Sequence, residues 1–132
     1  MVQEKAEEEN IMRLLVCGSR KYNNREKVKR IIEQLAPSVI ICGDATGVDM
    51  LALNIACELE IEYDGPYIAD WNRFGKSAGA IRNKQMLKEG KPDVVAAIYD
   101  DTQCRGTKLM VRLAKDAGVP VLDFFMKGDH DN

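Results

Sequence analysis

Short apolar runs that stop at a glycine alternate along this chain with segments of helical periodicity, and this alternation limits the possible folds more than any other feature. Residues 11–17 form a nearly continuous apolar run before Gly18, and residues 39–42 form a second one before Gly43. Runs of this kind are typical of strands that are buried on both faces. Three more strands are predicted within residues 61–68, 94–99 and 119–125.

Helical segments separate these strands. After Asn24, which suits the N-cap position, apolar residues recur from Val28 to Leu35 at the spacing of one helix face. Similar stripes follow the second and fourth strands, and a helix over residues 80–89 is expected after the third. The alternation predicts an α/β fold, a Rossmann-like three-layer sandwich with a mostly parallel sheet of about five strands. Pro66 interrupts the third strand, which suits an edge position.

The length and charge of the chain fit one domain. It has 132 residues, of which 45% are hydrophobic and 30% are charged. We expect a flexible acidic N-terminal tail at residues 1–10, a single Rossmann-like domain at residues 11–126, and a polar C-terminal tail at residues 127–132. The formal net charge of -2 argues against a protein that coats nucleic acid by bulk charge.

The histidine and cysteine content excludes several kinds of chemistry. The only histidine is His130, in the C-terminal tail, which excludes a Ser-His-Asp triad and a His-rich zinc site, so no metal is expected. Cys17, Cys42, Cys57 and Cys104 never form a C-x-x-C pair, and we expect them to be buried and reduced, as in a cytoplasmic protein. Cys17 and Cys42 both precede a glycine after an apolar run, so they are predicted to pack side by side. No apolar stretch approaches the ~18 residues of a membrane span, and no membrane partner is expected.

Polar and glycine-rich segments follow the predicted strands. In parallel sheets of this class, ligands bind outside the carboxyl ends of the strands, where helix N-termini also point. These segments should therefore converge on one crevice. The candidate ligand-binding residues are Gly18, Ser19, Arg20, Gly43, Asp44, Ala45, Gly47, Asp49, Asp70, Trp71, Arg82, Asn83, Gly106 and Thr107.

The main anion site is predicted between the first and fourth strands. Gly106 and Thr107 should open a helix whose first amides, with Ser19 and Arg20, bind an anion, because the loops after these two strands splay apart. Thr107 acting only as the cap of its own helix is the alternative. Arg82 is predicted to face the same crevice.

Two carboxylates and one aromatic residue are further candidates. Asp49 and Asp70 are the catalytic candidates, because a carboxylate at a strand end can hold a ribose hydroxyl or act as a base. Asp49 also opens the second helix, where its charge suits the helix dipole, so a structural role is the alternative. Trp71, the only tryptophan, either stacks on a base or anchors its own loop. Lys21 and Arg105 are expected to add positive charge at the edge of this crevice.

Three motifs carry a family resemblance: CGSRKY at residues 17–22, ICGDATGVDMLA at residues 41–52, and ADWNRFGKSAGAIRN at residues 69–83. In that order they resemble the YspA-like branch of the SLOG superfamily, which also contains the LOG phosphoribohydrolases and the DNA-processing protein A (Smf) family. The resemblance covers residues 12–125. It implies a Rossmann-like fold and recognition of a nucleotide or a nucleotide-derived ligand.

Two departures from these relatives matter for function. The LOG enzymes carry a catalytic glutamate soon after their Gly-Thr turn, whereas residues 108–111 of this chain read KLMV, so the hydrolase chemistry is not carried over. Asp44 stands where the second motif usually has a glycine, which adds a carboxylate close to any phosphate.

The sequence leaves two functions open. The first is a small domain that binds a nucleotide-like phosphorylated ligand at the strand ends, with hydrolysis of its N-glycosidic or phosphate bond left open. The alternative is a single-stranded nucleic-acid-binding domain similar to the DNA-processing protein A family, whose members bind single-stranded DNA, with Trp71 and Tyr22 as stacking surfaces. A non-catalytic sensor subunit is a third reading. The sequence names no cofactor and is compatible with a homo-oligomer.

Overall fold

Parallel pairing joins all five strands in the computed structural model, which describes residues 11–127. The strand order is β3-β2-β1-β4-β5, with every neighbouring pair parallel. The strands are β1 (Arg13–Gly18), β2 (Val39–Gly43), β3 (Glu62–Tyr67), β4 (Val94–Tyr99) and β5 (Val121–Phe125). The predicted α/β sandwich is thus confirmed. The predicted edge position of β3 is confirmed as well, and β1 lies beside β4.

Helices cover both faces of this sheet. They are α1 (Arg25–Leu35), α2 (Val48–Glu58), α3 (Trp71–Phe74), α4 (Ala78–Gly90) and α5 (Arg105–Asp116), with a 3-10 turn at Gly75–Ser77 before α4. Alternate residues of the buried strands face opposite layers. Leu14 and Val16 pack with α1 and α2, whereas Leu15 packs with Met86 of α4 and Met110 of α5. Both faces of β1 are therefore core, which explains its unbroken apolar sequence.

The helix boundaries partly match the prediction. Asn24 is the N-cap of α1, and its side chain accepts a hydrogen bond from the amide of Lys27. Helix α4 begins at Ala78, two residues earlier than predicted, because the 3-10 turn leads directly into it. The short helix α3 was not predicted, since four residues give no periodic stripe.

The cysteines divide into two buried and two accessible thiols. Cys17 and Cys42 are buried, Cys57 is exposed and Cys104 is half-buried, and none of the four forms a disulfide. Burial raises the pKa of Cys42 to about 12 and raises that of Cys17 further. The expectation that all four thiols are buried was wrong for Cys57, which is exposed on α2, and for Cys104, which is only half-buried.

The predicted side-by-side packing of Cys17 and Cys42 is also wrong. Leu15 is level with Ile41 in the β1–β2 register. Two residues further along, Cys17 is therefore level with Gly43 rather than with Cys42. Both cysteines precede a glycine, but this did not predict their pairing, because the glycine that ends β1 is offset by one residue from the glycine that ends β2.

Tyr22 requires a third correction. It was expected to offer a stacking surface, but its side chain is completely buried in the core beside α1. Of the predicted tails at residues 1–10 and 127–132, all but residue 127 lie outside the described residues. Within residues 11–127, no helix is both long enough and apolar enough to cross a membrane.

Candidate functional site

A crevice of about 440 Å³ opens at the carboxyl ends of β1 and β4. It lies where the loops after these two strands separate, as expected for a doubly wound sheet. Nine of the predicted ligand-binding residues line it: Gly18, Ser19, Arg20, Ala45, Asp49, Arg82, Asn83, Gly106 and Thr107. The predicted position of Arg82 in this crevice is confirmed. Gly43, Asp44, Gly47, Asp70 and Trp71 do not line it.

The first turn of α5 forms one wall of the crevice. The helix begins at Arg105 with Cys104 as its N-cap, so Gly106 and Thr107 both lie in the first turn. The first amides of a helix have no intrahelical acceptor and point outward along the helix axis. A Cβ atom at Gly106 would meet nothing within 4 Å, so the backbone here is open. Thr107 is buried and is not the cap of its helix.

Ser19 joins the loops that follow β1 and β4. Its hydroxyl donates to Asp100 Oδ1 at 3.0 Å and lies 3.3 Å from Cys104 Sγ, while its amide donates to the carbonyl of Ile98 at 3.1 Å. Ser19 and Asp100 are both buried. The floor of the crevice is therefore held by hydrogen bonds within the protein.

Two hydrogen bonds join the loop before α2 to the loop after β1. The amide of Val48 donates to the carbonyl of Ser19 at 3.1 Å, and Thr46 Oγ1 donates to the carbonyl of Arg20 at 3.1 Å. Gly47 has a φ of +76°, and a Cβ atom there would lie 2.2 Å from the Ser19 carbonyl oxygen. Because the amide of Val48 already donates to a carbonyl, the start of α2 has fewer amides available to bind an anion than the start of α5.

A charge cluster, with Arg82 and Asn83 buried and Asp44 partly exposed, borders the crevice. Arg82, 7% exposed, donates from Nη1 to Asp44 Oδ1 at 2.7 Å and from Nε to Asn83 Oδ1 at 3.0 Å. Asn83 in turn donates to the carbonyl of Gly106 at 3.4 Å. Asp44, which the sequence suggested would weaken phosphate binding, instead forms an ion pair with Arg82. The cluster connects the loop after β2 to the first turn of α5.

Asp49 is a buried carboxylate that lines the crevice. It is 6% exposed, and its Oδ2 accepts a hydrogen bond from the amide of Ala45 at 3.1 Å. Burial raises the pKa of Asp49 to about 6, although the nearby Arg82 guanidinium lowers it in part. A Cβ atom at Gly43 would lie 2.8 Å from Asp49 Oδ2 and 2.7 Å from Arg82 Nη1, so a larger residue there would displace these two side chains.

Asp70 and Trp71 lie outside the crevice. Asp70 is the N-cap of α3 and accepts a hydrogen bond from the amide of Arg73 at 3.1 Å, which gives it a structural role. Trp71 is 48% exposed and packs over Gly79. The Arg20 guanidinium carbon lies 5.8 Å from its ring centroid, so the tryptophan reaches the crevice only through Arg20.

Several crevice residues were not among the candidates. Met86 lies three residues after Asn83 and Met110 three after Thr107, so helical periodicity could have found both. Gln103 and Asp101 come from the loop after β4, where the sequence gives no such signal. Within the part of the chain that the structure describes, no three His, Cys, Asp or Glu residues lie close enough to hold a metal ion.

The strand order and the position of the crevice define a Rossmann-like α/β domain. The same fold occurs in the crystal structure of DNA processing protein A (DprA) from Streptococcus pneumoniae, with a TM-score of 0.70, 18% sequence identity and 86% of this chain covered. The match covers 50% of that protein, so the present chain spans about half of its length.

A curated relative defines the family. The Gene 61 protein of Mycobacterium phage D29 is 32% identical in an alignment that covers 85% of this chain and 95% of the relative. The chain therefore belongs to the same family as this phage protein. No protein-family model matches the chain.

Proposed function

We propose that the crevice binds the phosphate of a nucleotide or nucleotide-derived ligand at the first turn of α5. The observation that carries this proposal is the open backbone at Gly106, in a helix start that faces the crevice. Free amides and the helix dipole both favour an anion there. Arg20 and Arg105 also line the crevice and can add charged hydrogen bonds to phosphate oxygens.

The far side of the crevice suits the sugar of such a ligand. Asp49 offers a carboxylate that can accept hydrogen bonds from ribose hydroxyls, and Asn83 donates to the carbonyl of Gly106 in the first turn of α5. With a pKa of about 6, Asp49 is also our candidate for the general base if the bound ligand is hydrolysed. The volume of about 440 Å³ falls within the range of roughly 300 to 1,000 Å³ that is usual for small-molecule sites.

Binding of single-stranded nucleic acid is the second candidate function. It is favoured by a surface of two exposed rings, Trp71 and Phe74, each beside an arginine. Arg73 lies 5.0 Å from the Phe74 ring centroid. Exposed aromatic rings beside cations can stack bases and hold the backbone of a single strand. The fold shared with a DNA processing protein agrees with this candidate.

The first experiment is native mass spectrometry of freshly purified protein, followed by calorimetry with adenosine 5′-monophosphate and other nucleoside monophosphates. Gly106→Ala is the decisive variant, because the fold has room for the methyl group but the ligand would meet it. We expect at least a tenfold loss of affinity with an unchanged or slightly raised Tm, since alanine favours helix over glycine. Unchanged affinity would show that the phosphate site is elsewhere.

Two matched pairs of variants refine this test. Thr107→Val should weaken binding about three- to tenfold, the effect of losing one hydrogen bond, whereas Thr107→Ser should retain it. Arg105→Ala should weaken binding, whereas Arg112→Ala, in the same helix but outside the crevice, should not. A drop in Tm for Thr107→Val without loss of affinity would indicate a purely structural hydroxyl.

A further inference from the structure

Trp71 lies outside the crevice, but it contacts an arginine that lines it. The guanidinium carbon of Arg20 lies over the Trp71 ring, 5.8 Å from the centroid. This distance is within the roughly 6 Å over which a cation is attracted to an aromatic ring. Because Arg20 also lines the crevice, this one side chain joins the only tryptophan of the chain to the proposed anion site.

The helices next to the Trp71 ring fix its position. Trp71 is the first residue of α3, and Asp70 caps that helix. The ring packs on the first turn of α4, where a Cβ atom at Gly79 would lie 3.5 Å from Trp71 Cη2. About half of the side chain stays exposed. The ring is therefore a fixed surface on which a long, exposed side chain can pack.

The guanidinium of Arg20 is available to a ligand. Among residues 11–127, the Arg20 side chain makes no hydrogen bond or ion pair with a protein oxygen. By contrast, two nitrogens of Arg82 already donate to Asp44 and Asn83. An arginine that packs the face of its guanidinium on a ring keeps the N–H groups at the edge for phosphate oxygens. Arg20 is therefore better placed than Arg82 to bind the ligand directly.

We propose that Trp71 is a positioning residue, whose ring holds the Arg20 guanidinium at the edge of the crevice in the orientation that binds a ligand phosphate. This inference rests on the proposed function, because it requires an anion in the crevice. Arg20 is exposed, so without the ring the ligand itself would have to order its side chain, which costs affinity. The ring does not touch the ligand in this role, which distinguishes it from a base-stacking surface.

A double-mutant cycle, with adenosine 5′-monophosphate as the probe and calorimetry as the measurement, tests this role. Trp71→Ala should weaken binding about two- to fivefold, the effect of ordering one long side chain. Arg20→Ala should weaken binding roughly tenfold, the effect of losing a charged hydrogen bond. The double variant should bind as Arg20→Ala does, because the ring acts only through the arginine.

Two further variants and the outcomes against the proposal complete this experiment. Trp71→Phe keeps a ring and should lose less affinity than Trp71→Ala, whereas Tyr63→Ala removes an exposed ring on β3 and should lose none. Additive losses in the double variant would overturn the proposal, because the ring would then act independently of Arg20. Parent-like affinity in Trp71→Ala would also overturn it. Absence of binding by the parent would instead contradict the proposed function, and this inference with it.

Tryptophan fluorescence tests the contact without a ligand. Trp71 is the only tryptophan, so the emission reports on this ring alone. Arg20→Ala should raise the acrylamide quenching constant, because it uncovers one face of the ring. Arg30→Ala, which removes an exposed arginine of α1, should leave the constant unchanged. Equal quenching in Arg20→Ala and in the parent would show that the arginine does not cover the ring, and would overturn the proposal whatever the crevice binds.

Discussion

Asp49 is a buried carboxylate that lines the proposed binding crevice. Its side chain is almost fully removed from water, yet it accepts one backbone hydrogen bond and lies near the Arg82 guanidinium. Desolvation of the charged form outweighs the attraction of the arginine, which is why the pKa is raised rather than lowered. At neutral pH this carboxylate is charged, and its ionisation in a buried position lowers the stability of the folded protein.

Replacing this carboxylate by its neutral amide gives a pH-dependent prediction. The pKa of Asp49 rises from 3.8 to about 6 on folding, so the folded state binds the proton more tightly. Stability then falls as pH rises from about 4 to about 6. Asp49→Asn lacks this loss and should be more stable than the parent by about 2 to 3 kcal/mol at pH 7.5, with most of the difference gone near pH 4.

Urea unfolding of both proteins at pH 4, 5, 6 and 7.5 measures this difference in the free energy of unfolding. The contributions of the other carboxylates cancel in the difference, because both proteins contain them. A stability difference that is independent of pH would contradict the assigned cause. If the same variant loses nucleotide affinity while gaining stability, Asp49 acts on the ligand directly.

At the scale of helices and loops, Arg82 joins elements that are distant in sequence. It connects α4 to the loop after β2 through Asp44, and Asn83 connects α4 to the start of α5. The sequence suggested that Arg82 binds phosphate itself. The structure shows that two of its nitrogens already donate to protein oxygens, so its main effect should be on the position of the loops.

Arg82→Lys should therefore destabilise the protein by about 1 to 2 kcal/mol, because an ammonium group keeps the charge but cannot make both hydrogen bonds in the fork geometry. Chemical denaturation at pH 7 measures this, with Lys84→Arg on the exposed side of α4 as the control. Full stability in Arg82→Lys would show that the guanidinium geometry has no structural role, and would return Arg82 to the list of direct phosphate ligands.

The sequence predicted the elements better than their contacts. The strands β1, β2 and β4 are visible because both of their faces are core, and the edge position of β3 follows from its proline. The ion pair of Arg82 with Asp44 spans 38 residues and leaves no spacing signal. Likewise, the β1–β2 register depends on how two loops fit together, and the strand sequences alone do not contain that information.

At the scale of the whole molecule, charge separates the two candidate functions. The net charge of -2 gives no general attraction for nucleic acid, so any binding has to come from local cations such as Arg20, Lys21 and Arg73. A polymer that contacts several cations releases counterions, whereas a mononucleotide in the crevice does so far less.

We expect the affinity for a nucleoside monophosphate to fall less than about fivefold between 50 and 200 mM salt. An oligothymidylate that made about five phosphate contacts would lose roughly a hundredfold over the same range. Fluorescence anisotropy with both probes measures this. A steep salt dependence for the oligomer, with no saturable binding of any monophosphate, would favour the nucleic-acid function over the small-ligand one.

The glycines in and next to the crevice are constrained in different ways, and this affects how a comparison of natural variants would be interpreted. At Gly18 and Gly47, a side chain would overlap backbone oxygens at 1.9 Å and 2.2 Å, so any member of the family that folds in this way must keep glycine there, whatever it binds. At Gly106 a Cβ atom would meet nothing within 4 Å, so the fold does not require glycine there. Glycine retained at that position across many descendants would be evidence of selection for a ligand, and its drift to other residues would mark lineages in which the crevice is no longer used.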